Sequence, residues 1–183
     1  GNGPFPWTVF IGDSSENLDA YTLFVEELAK RGFIVVVTQP VQDETDVEET
    51  LSFLTDIAEI MGSQNQTNLH VMGSAGNVDV EHWGIGGHGK GAAAAYVALP
   101  YFNQSQRADT VQPPRSLFGL GLDLDSFDSG EDWFNPSYSP VFPRPNTGLF
   151  ITGTVDEVAP STATMERLED AGGYGWHWMH LLG

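Results

Sequence analysis

One stretch constrains the fold of this chain more than any other: "WGIGGHGKGAAAAYVAL", Trp83 to Leu99. A short apolar run, W-G-I-G, enters a glycine-dense turn, G-H-G-K-G, and leaves as an alanine-rich helical segment. Glycine tolerates backbone conformations closed to other residues, so such a run reads as a strand, a tight turn and a helix in immediate succession. A strand that passes straight into a helix is the repeating unit of α/β architecture.

The rest of the chain repeats that unit. "WTVFIG" (Trp7 to Gly12) is a β-rich run that ends in a polar turn, D-S-S-E-N. Tyr21, Phe24, Val25 and Leu28 recur at helical spacing, and Gly32 after Lys30 and Arg31 is a natural stop. "FIVVVTQP" (Phe33 to Pro40) is an unbroken apolar strand, of the kind buried on both faces of a parallel sheet. Asp46 and Glu49 form a capping box, and the helix they open carries Val47, Leu51, Leu54, Ala58 and Met61 on one stripe. A polar loop, Gly62 to Asn68, follows. Beyond the alanine-rich helix come a strand "SLFGLGLDLD" (Ser116 to Asp125), a long Pro- and aromatic-rich loop (Ser126 to Pro145) and a strand "TGLFITGT" (Thr147 to Thr154). A helix "STATMERLEDAGG" and a last strand "WHWMHLL" complete the order. The expectation is one α/β domain over residues 1–183, part of a longer chain, with a mainly parallel central sheet flanked by helices.

Charge narrows the partners. A formal net charge of −18, with seven Lys and Arg among 183 residues, argues against nucleic acid and anionic membrane surfaces. No window approaches the roughly 18–20 apolar residues of a membrane span. With no cysteine there are neither disulfides nor thiolate metal sites. Asn65-Gln66-Thr67 and Asn103-Gln104-Ser105 are glycan acceptor sequons if the chain is secreted, and a secreted or organelle-lumenal setting is favoured over the cytoplasm.

Four segments, taken together and in order, carry a family resemblance: "WTVFIGDSSENLDAYTLFVEELAKRGFIVVV", "GIGGHGKGAAAA", "GLGLDLD" and "GLFITGTVDEVAP". The succession resembles the α/β-hydrolases, and within them the chlorophyllase and dienelactone-hydrolase-like serine esterases. That resemblance implies an α/β-hydrolase fold lacking the first strands and the C-terminal histidine loop in this chain. It also assigns positions. G-H-G-K-G matches the nucleophile elbow G-x-S-x-G, so Gly89 stands at the nucleophile position, where an ester hydrolase needs a hydroxyl. Asp156 matches the family acid. The general base is expected beyond the last strand, and the chain supplies none there. His177 and His180 fall within that strand, and His88 frames the elbow. The oxyanion donors belong to Lys90, after the nucleophile position, and to the loop after the first strand, Gly12-Asp13-Ser14-Ser15. That loop lacks the family's glycines. Asp13 there either opposes a developing oxyanion or is a turn or helix-cap aspartate facing solvent.

Other chemistry is thin. Asp123 to Asp132 is dense in carboxylates and suggests calcium, but it lacks the EF-hand spacing and suits a solvated loop, so no metal is expected. No cofactor is expected either, because the glycines follow neither the dinucleotide nor the P-loop spacing. The resemblance places Trp133, Phe134, Tyr138 and Phe142 in the region that borders the substrate cleft in active relatives, so they are either cleft lining or a small cluster under a long loop. Three functions remain. The favoured one is a non-catalytic α/β-hydrolase-fold protein, a pseudo-esterase serving as an accessory, binding or structural subunit of a larger protein assembly. The alternatives are an active chlorophyllase-like ester hydrolase seen as an altered chain, and a binder of a small apolar ligand in the old cleft.

Overall fold

A computed structural model describes residues 3–39, 47–63, 78–104, 112–122, 147–153 and 176–181. In order, the elements are β1 (Phe5–Ile11), a 3₁₀ turn (Leu18–Tyr21), α1 (Thr22–Lys30), β2 (Ile34–Thr38), α2 (Val47–Ser63), β3 (Val78–His88), α3 (Lys90–Gln104), β4 (Ser116–Leu120), β5 (Thr147–Gly153) and β6 (Trp176–Leu181). The six strands form one sheet in the order β2-β1-β3-β4-β5-β6, and every neighbouring pair is parallel. The expected α/β architecture with a parallel sheet is therefore present.

The period of two along β1 builds the core. Trp7, Val9 and Ile11 point to one face and join Ile85, Leu117 and the buried side of α2 and α3. Phe10 points to the other face, against Tyr21, Phe24 and Phe118 under α1. The first turns of α3 are buried from Gly91 to Tyr96, because Ala92, Ala93, Ala94 and Ala95 are small enough to let the helix lie close to the sheet. Along α2 the stripe holds for Leu54, Ala58 and Met61, which are buried together with Thr55. The side chains of Val47 and Leu51, and Asp46 of the capping box, lie outside the described residues.

Three expectations need correction. The run at Phe33 is not fully buried: β2 is an edge strand of the described sheet, half-buried along its length, with β1 on one side. Its unbroken apolar character reflects β propensity and the cover given by α1, not central burial. The strand before the glycine turn is longer than W-G-I-G and begins at Val78. Its register against β1 slips between Phe5↔Val78 and Trp7↔Trp83, and Asp79 accepts the N–H groups of Glu81 and His82 in that irregular part. A locally turned strand loses its alternation, which hides it in the sequence. Finally, β4 ends at Leu120, because Gly121 takes φ 53° and its N–H reaches Ile151 O at 2.8 Å. The acidic end expected for that strand, from Asp123, lies outside the described residues.

Candidate functional site

The sheet brings four strand ends to one edge of the molecule. Ile11 is level with Gly87, Gly87 with Gly119 and Gly119 with Phe150, so β1, β3, β4 and β5 end side by side. In a parallel α/β sheet this carboxyl end is where ligands meet the fold.

Gly89 forms the turn between β3 and α3, at φ 54°. That is the left-handed region, which glycine enters freely and other residues at a cost of roughly 1–2 kcal/mol. Its N–H donates to Leu120 O at 2.9 Å, which pins the turn to β4. The flanking glycines answer a second need. A Cβ at Gly87 would lie 2.5 Å from both the Ile11 carbonyl and the backbone of Gly91, and a Cβ at Gly91 would overlap the Ile11 carbonyl. The first turn of α3 thus rests directly on the end of β1.

Asp13 enters this space from β1. A Cβ at Gly89 would overlap Asp13 Oδ2, so the carboxylate stands where a side chain at position 89 would begin. The reason lies in the helix end. Ala92 and Ala93 both return their N–H groups to the Gly89 carbonyl, at 3.1 and 3.2 Å. Lys90 N–H must bond outside the helix, and glycine at the cap position has no side chain to offer it. It donates instead to Asp13 Oδ2 at 3.0 Å, a partner 77 positions away in sequence. Asp13 Oδ1 meanwhile accepts from Ser15, through its N–H at 2.8 Å and its hydroxyl at 2.7 Å.

The electrostatics follow from these bonds. Burial alone pushes the Asp13 carboxyl up. The Ser15 N–H and hydroxyl, the Lys90 N–H and the nearby His88 outweigh it and hold the group below its ordinary value. It is an anion at neutral pH. Tyr21 secures the backbone behind it: its hydroxyl accepts Asp13 N–H at 2.8 Å and lies 3.0 Å from His88 Nδ1. Burial, with the Asp13 and Glu16 carboxylates, pushes the Tyr21 phenol up against the pull of the Asp13 N–H. Gly12 is fixed on the other side, with its N–H on Thr38 O at 2.8 Å and Tyr21 Cε2 filling the place of a Cβ.

Of the residues singled out in the sequence, the fold brings together Gly12, Asp13, Gly89 and Lys90, with His88 beside them. Asp156 follows β5 by three positions and lies outside the described residues, as do Trp133, Phe134, Tyr138, Phe142 and Asn65. The side chains of Asn103, His177 and His180 are likewise outside them. Two participants escaped the sequence reading. Tyr21 looks like an ordinary core position of a helix, and only its hydroxyl sets it apart. Ser15 was legible as the third residue of an Asp-x-Ser turn. Among the described residues no group of three or more His, Asp or Glu is placed to hold a metal ion.

No protein-family model and no curated protein sequence matches the chain. Solved structures do. Esterase B from Lactobacillus rhamnosis, inhibited by a tributyrin phosphonate, superimposes with a TM-score of 0.71 at 12% identity, over 100% of this chain and 65% of its own. The esterase domain of a Rhodothermus marinus protein gives 0.66 at 11% identity, over 98% and 77%. The monoacylglycerol lipase of Paleococcus ferrophilus gives 0.61 at 14% identity, over 97% and 84%. The likeness establishes an α/β-hydrolase fold, and this chain spans about two-thirds to four-fifths of the length of these enzymes.

Proposed function

We propose that this chain is a non-catalytic relative of the esterases that share its fold, closest in kind to the chlorophyllase and dienelactone-hydrolase-like group, and that it acts by association. One observation carries the reading. The turn that corresponds to a nucleophile elbow holds Gly89, and the space beside it is filled by the carboxylate of Asp13, which also takes the Lys90 N–H. A serine esterase needs a hydroxyl at the first place and a free donor at the second. Here the hydroxyl is missing and the donor already bears an anion. Negative charge developing on a substrate carbonyl would meet a resident carboxylate, which raises the barrier the site ought to lower. Loss of the nucleophile in such a triad removes about 10⁶ in rate, and the other members cannot compensate because they work as a unit.

The role left to the fold is binding. A surface of net charge −18 suits partners that are basic or neutral, and an accessory place in a larger protein assembly fits it better than a nucleic acid or an anionic membrane.

The test is ester turnover. The chain is expected to give neither a burst nor steady hydrolysis with p-nitrophenyl butyrate, and Gly89→Ser alone is expected to stay inactive. The new side chain would have to displace Asp13 Oδ2 and sit at a positive φ. A burst in the unmodified chain that titrates one site per molecule would overturn the proposal. So would Gly89→Ser turning over at about 10 s⁻¹, the middle of the enzyme range.

A further inference from the structure

We propose that the Tyr21 hydroxyl couples the protonation of His88 to the Asp13 turn: neutral His88 leaves the turn bound, and protonated His88 takes the hydroxyl and frees the Asp13 N–H. This coupling stands whether or not the chain turns over an ester.

Proton inventory decides the neutral state. The hydroxyl of the buried Tyr21 has two neighbours, Asp13 N–H at 2.8 Å and His88 Nδ1 at 3.0 Å. A backbone N–H only donates, so Tyr21 Oη accepts from Asp13. Conjugation keeps a phenolic O–H near the plane of its ring, which leaves the oxygen one direction for its own proton and one for an incoming donor. The Tyr21 proton therefore goes to His88 Nδ1, and neutral His88 carries its own proton on Nε2.

Protonation breaks this arrangement. An imidazolium donates from both nitrogens, so Nδ1–H and the Asp13 N–H compete for one oxygen whose own proton also needs a place. A charge-assisted bond is roughly twice as strong as a neutral one, which favours His88. Position favours it too. His88 ends β3 opposite Leu120 of β4, and the next residue is pinned by Gly89 N–H on Leu120 O. Asp13 lies past the end of β1, in a turn whose Ser15 and Glu16 are exposed. The peptide at Asp13 is the one that turns away. Its carboxylate is not expelled with it, because Oδ2 holds the Lys90 N–H and the imidazolium attracts it. Among the described residues, the other charges near this ring are Glu16, which acts on Tyr21, and Lys90, which opens α3. Glu16 favours the imidazolium and Lys90 opposes it, so neither changes which bond yields. On the β4 side the neighbour is the apolar Leu120.

The test follows the ¹⁵N,¹³C-labelled chain by NMR from about pH 8 to about pH 5, the range in which an ordinary imidazole takes up its proton. Long-range ¹H–¹⁵N correlations read the His88 tautomer, and the Asp13 amide reads the hydroxyl bond. An Nε2–H tautomer is expected at pH about 8. As the ring is protonated, the Asp13 amide should shift along the same curve and, corrected for its intrinsic rate, exchange at least about tenfold faster. In Tyr21→Phe the ring still titrates, but the Asp13 amide should lack that step. This variant separates a lost bond from the direct field of the imidazolium, which would move the amide equally in both proteins. His88→Gln, which cannot titrate, should hold the Asp13 amide unchanged over the whole range. Together with the exchange rate of the unmodified chain, it decides the matter if Tyr21→Phe does not fold. An Nδ1–H tautomer, an Asp13 amide that ignores the protonation of His88, or a step that persists in either variant overturns the proposal.

Discussion

Strands β1 and β3 lie side by side, yet their two ends are held together by different physics. At the amino end the rings of Trp7 and Trp83 stack with centroids 4.4 Å apart and planes within 5°, and Phe102 of α3 meets Trp83 edge-on at 5.4 Å. At the carboxyl end almost no side chain lies between the same strands and α3. Backbone rests on backbone at Ile11, Gly87 and Gly91, and a single carboxylate spans the gap to the helix. Burial of large aromatic rings is worth several kcal/mol each, whereas a hydrogen-bonded cap is worth about one. One end therefore carries most of the stability, and the other holds the candidate site. The division lets residues at the carboxyl end change while the fold that positions them survives.

The contrast breaks first if the aromatic end proves dispensable. Trp83 is buried, and its indole N–H donates to Gln112 O at 2.7 Å. Trp83→Ala removes the ring from two aromatic contacts and leaves that carbonyl without its partner. It should cost about 3–5 kcal/mol, read as a lowered urea midpoint with an unchanged slope. A loss under about 1 kcal/mol would mean that the stack is not the anchor claimed here. The Trp7 indole N–H, buried with no partner among the described residues, already charges this end an unmet donor, and the packing outweighs it.

At the other end the expected loss is smaller and depends on pH. Asp13→Ala removes the cap of α3 and the Ser15 turn, for about 0.5–2 kcal/mol at neutral pH. The sign of the pH dependence follows from the carboxyl being held below its ordinary value in the folded chain. Its contribution is complete above the unfolded value of about 4 and disappears as pH falls through the folded one. Stability curves of wild type and Asp13→Ala should therefore run parallel above about pH 5 and converge in more acidic solution. Curves that stay parallel to pH 2 would show that the charge of Asp13 contributes nothing; convergence that begins only above neutrality would point to a histidine instead.

How much of this was written in the sequence depends on how far each feature reaches along the chain. Local features were legible. The glycine run announced the strand–turn–helix, and Leu54, Ala58 and Met61 announced the buried side of α2. The edge position of β2 was not, because an apolar run states that a strand is covered but not by how many neighbours. The irregular start of β3 hid behind Asp79, whose turn interrupts the alternation. At the site, Asp13 offered two readings, a charge set against an oxyanion or a cap facing solvent. The fold makes it a cap that faces inward: the carboxylate caps a helix, and the helix is α3, whose end is the turn at Gly89. That link crosses 77 positions of sequence and exists only once β1 and β3 are neighbours. The part played by Tyr21 is hidden for the same reason, since its hydroxyl serves one residue eight positions before it and another 67 positions after.

Tyr21 also supplies the finest test of the comparison. Its ring belongs to the apolar interior, 4.9 Å from Phe10 in an edge-on contact, while its hydroxyl belongs to the site. Tyr21→Phe separates the two. The ring contacts stay, so the stability lost is that of the hydroxyl's bonds to Asp13 N–H and His88, about 0.5–1.5 kcal/mol. Because the phenol is pushed up in the folded chain, the wild type also loses stability above pH about 10, where the unfolded phenol ionises first, and the variant should lack that part of the alkaline decline. Tyr96, pushed up to about 12 by burial in α3, acts with the same sign in both proteins and cancels from their difference. The double variant with Asp13→Ala sharpens the result. If the hydroxyl acts by holding the Asp13 turn, its loss matters less once the carboxylate is gone, and the two effects sum to less than their separate values by 0.5 kcal/mol or more, roughly the threshold for coupled neighbours. Strict additivity would make the hydroxyl an independent strut of the core, and the carboxyl end would then owe its order to the interior beneath it and not to the carboxylate.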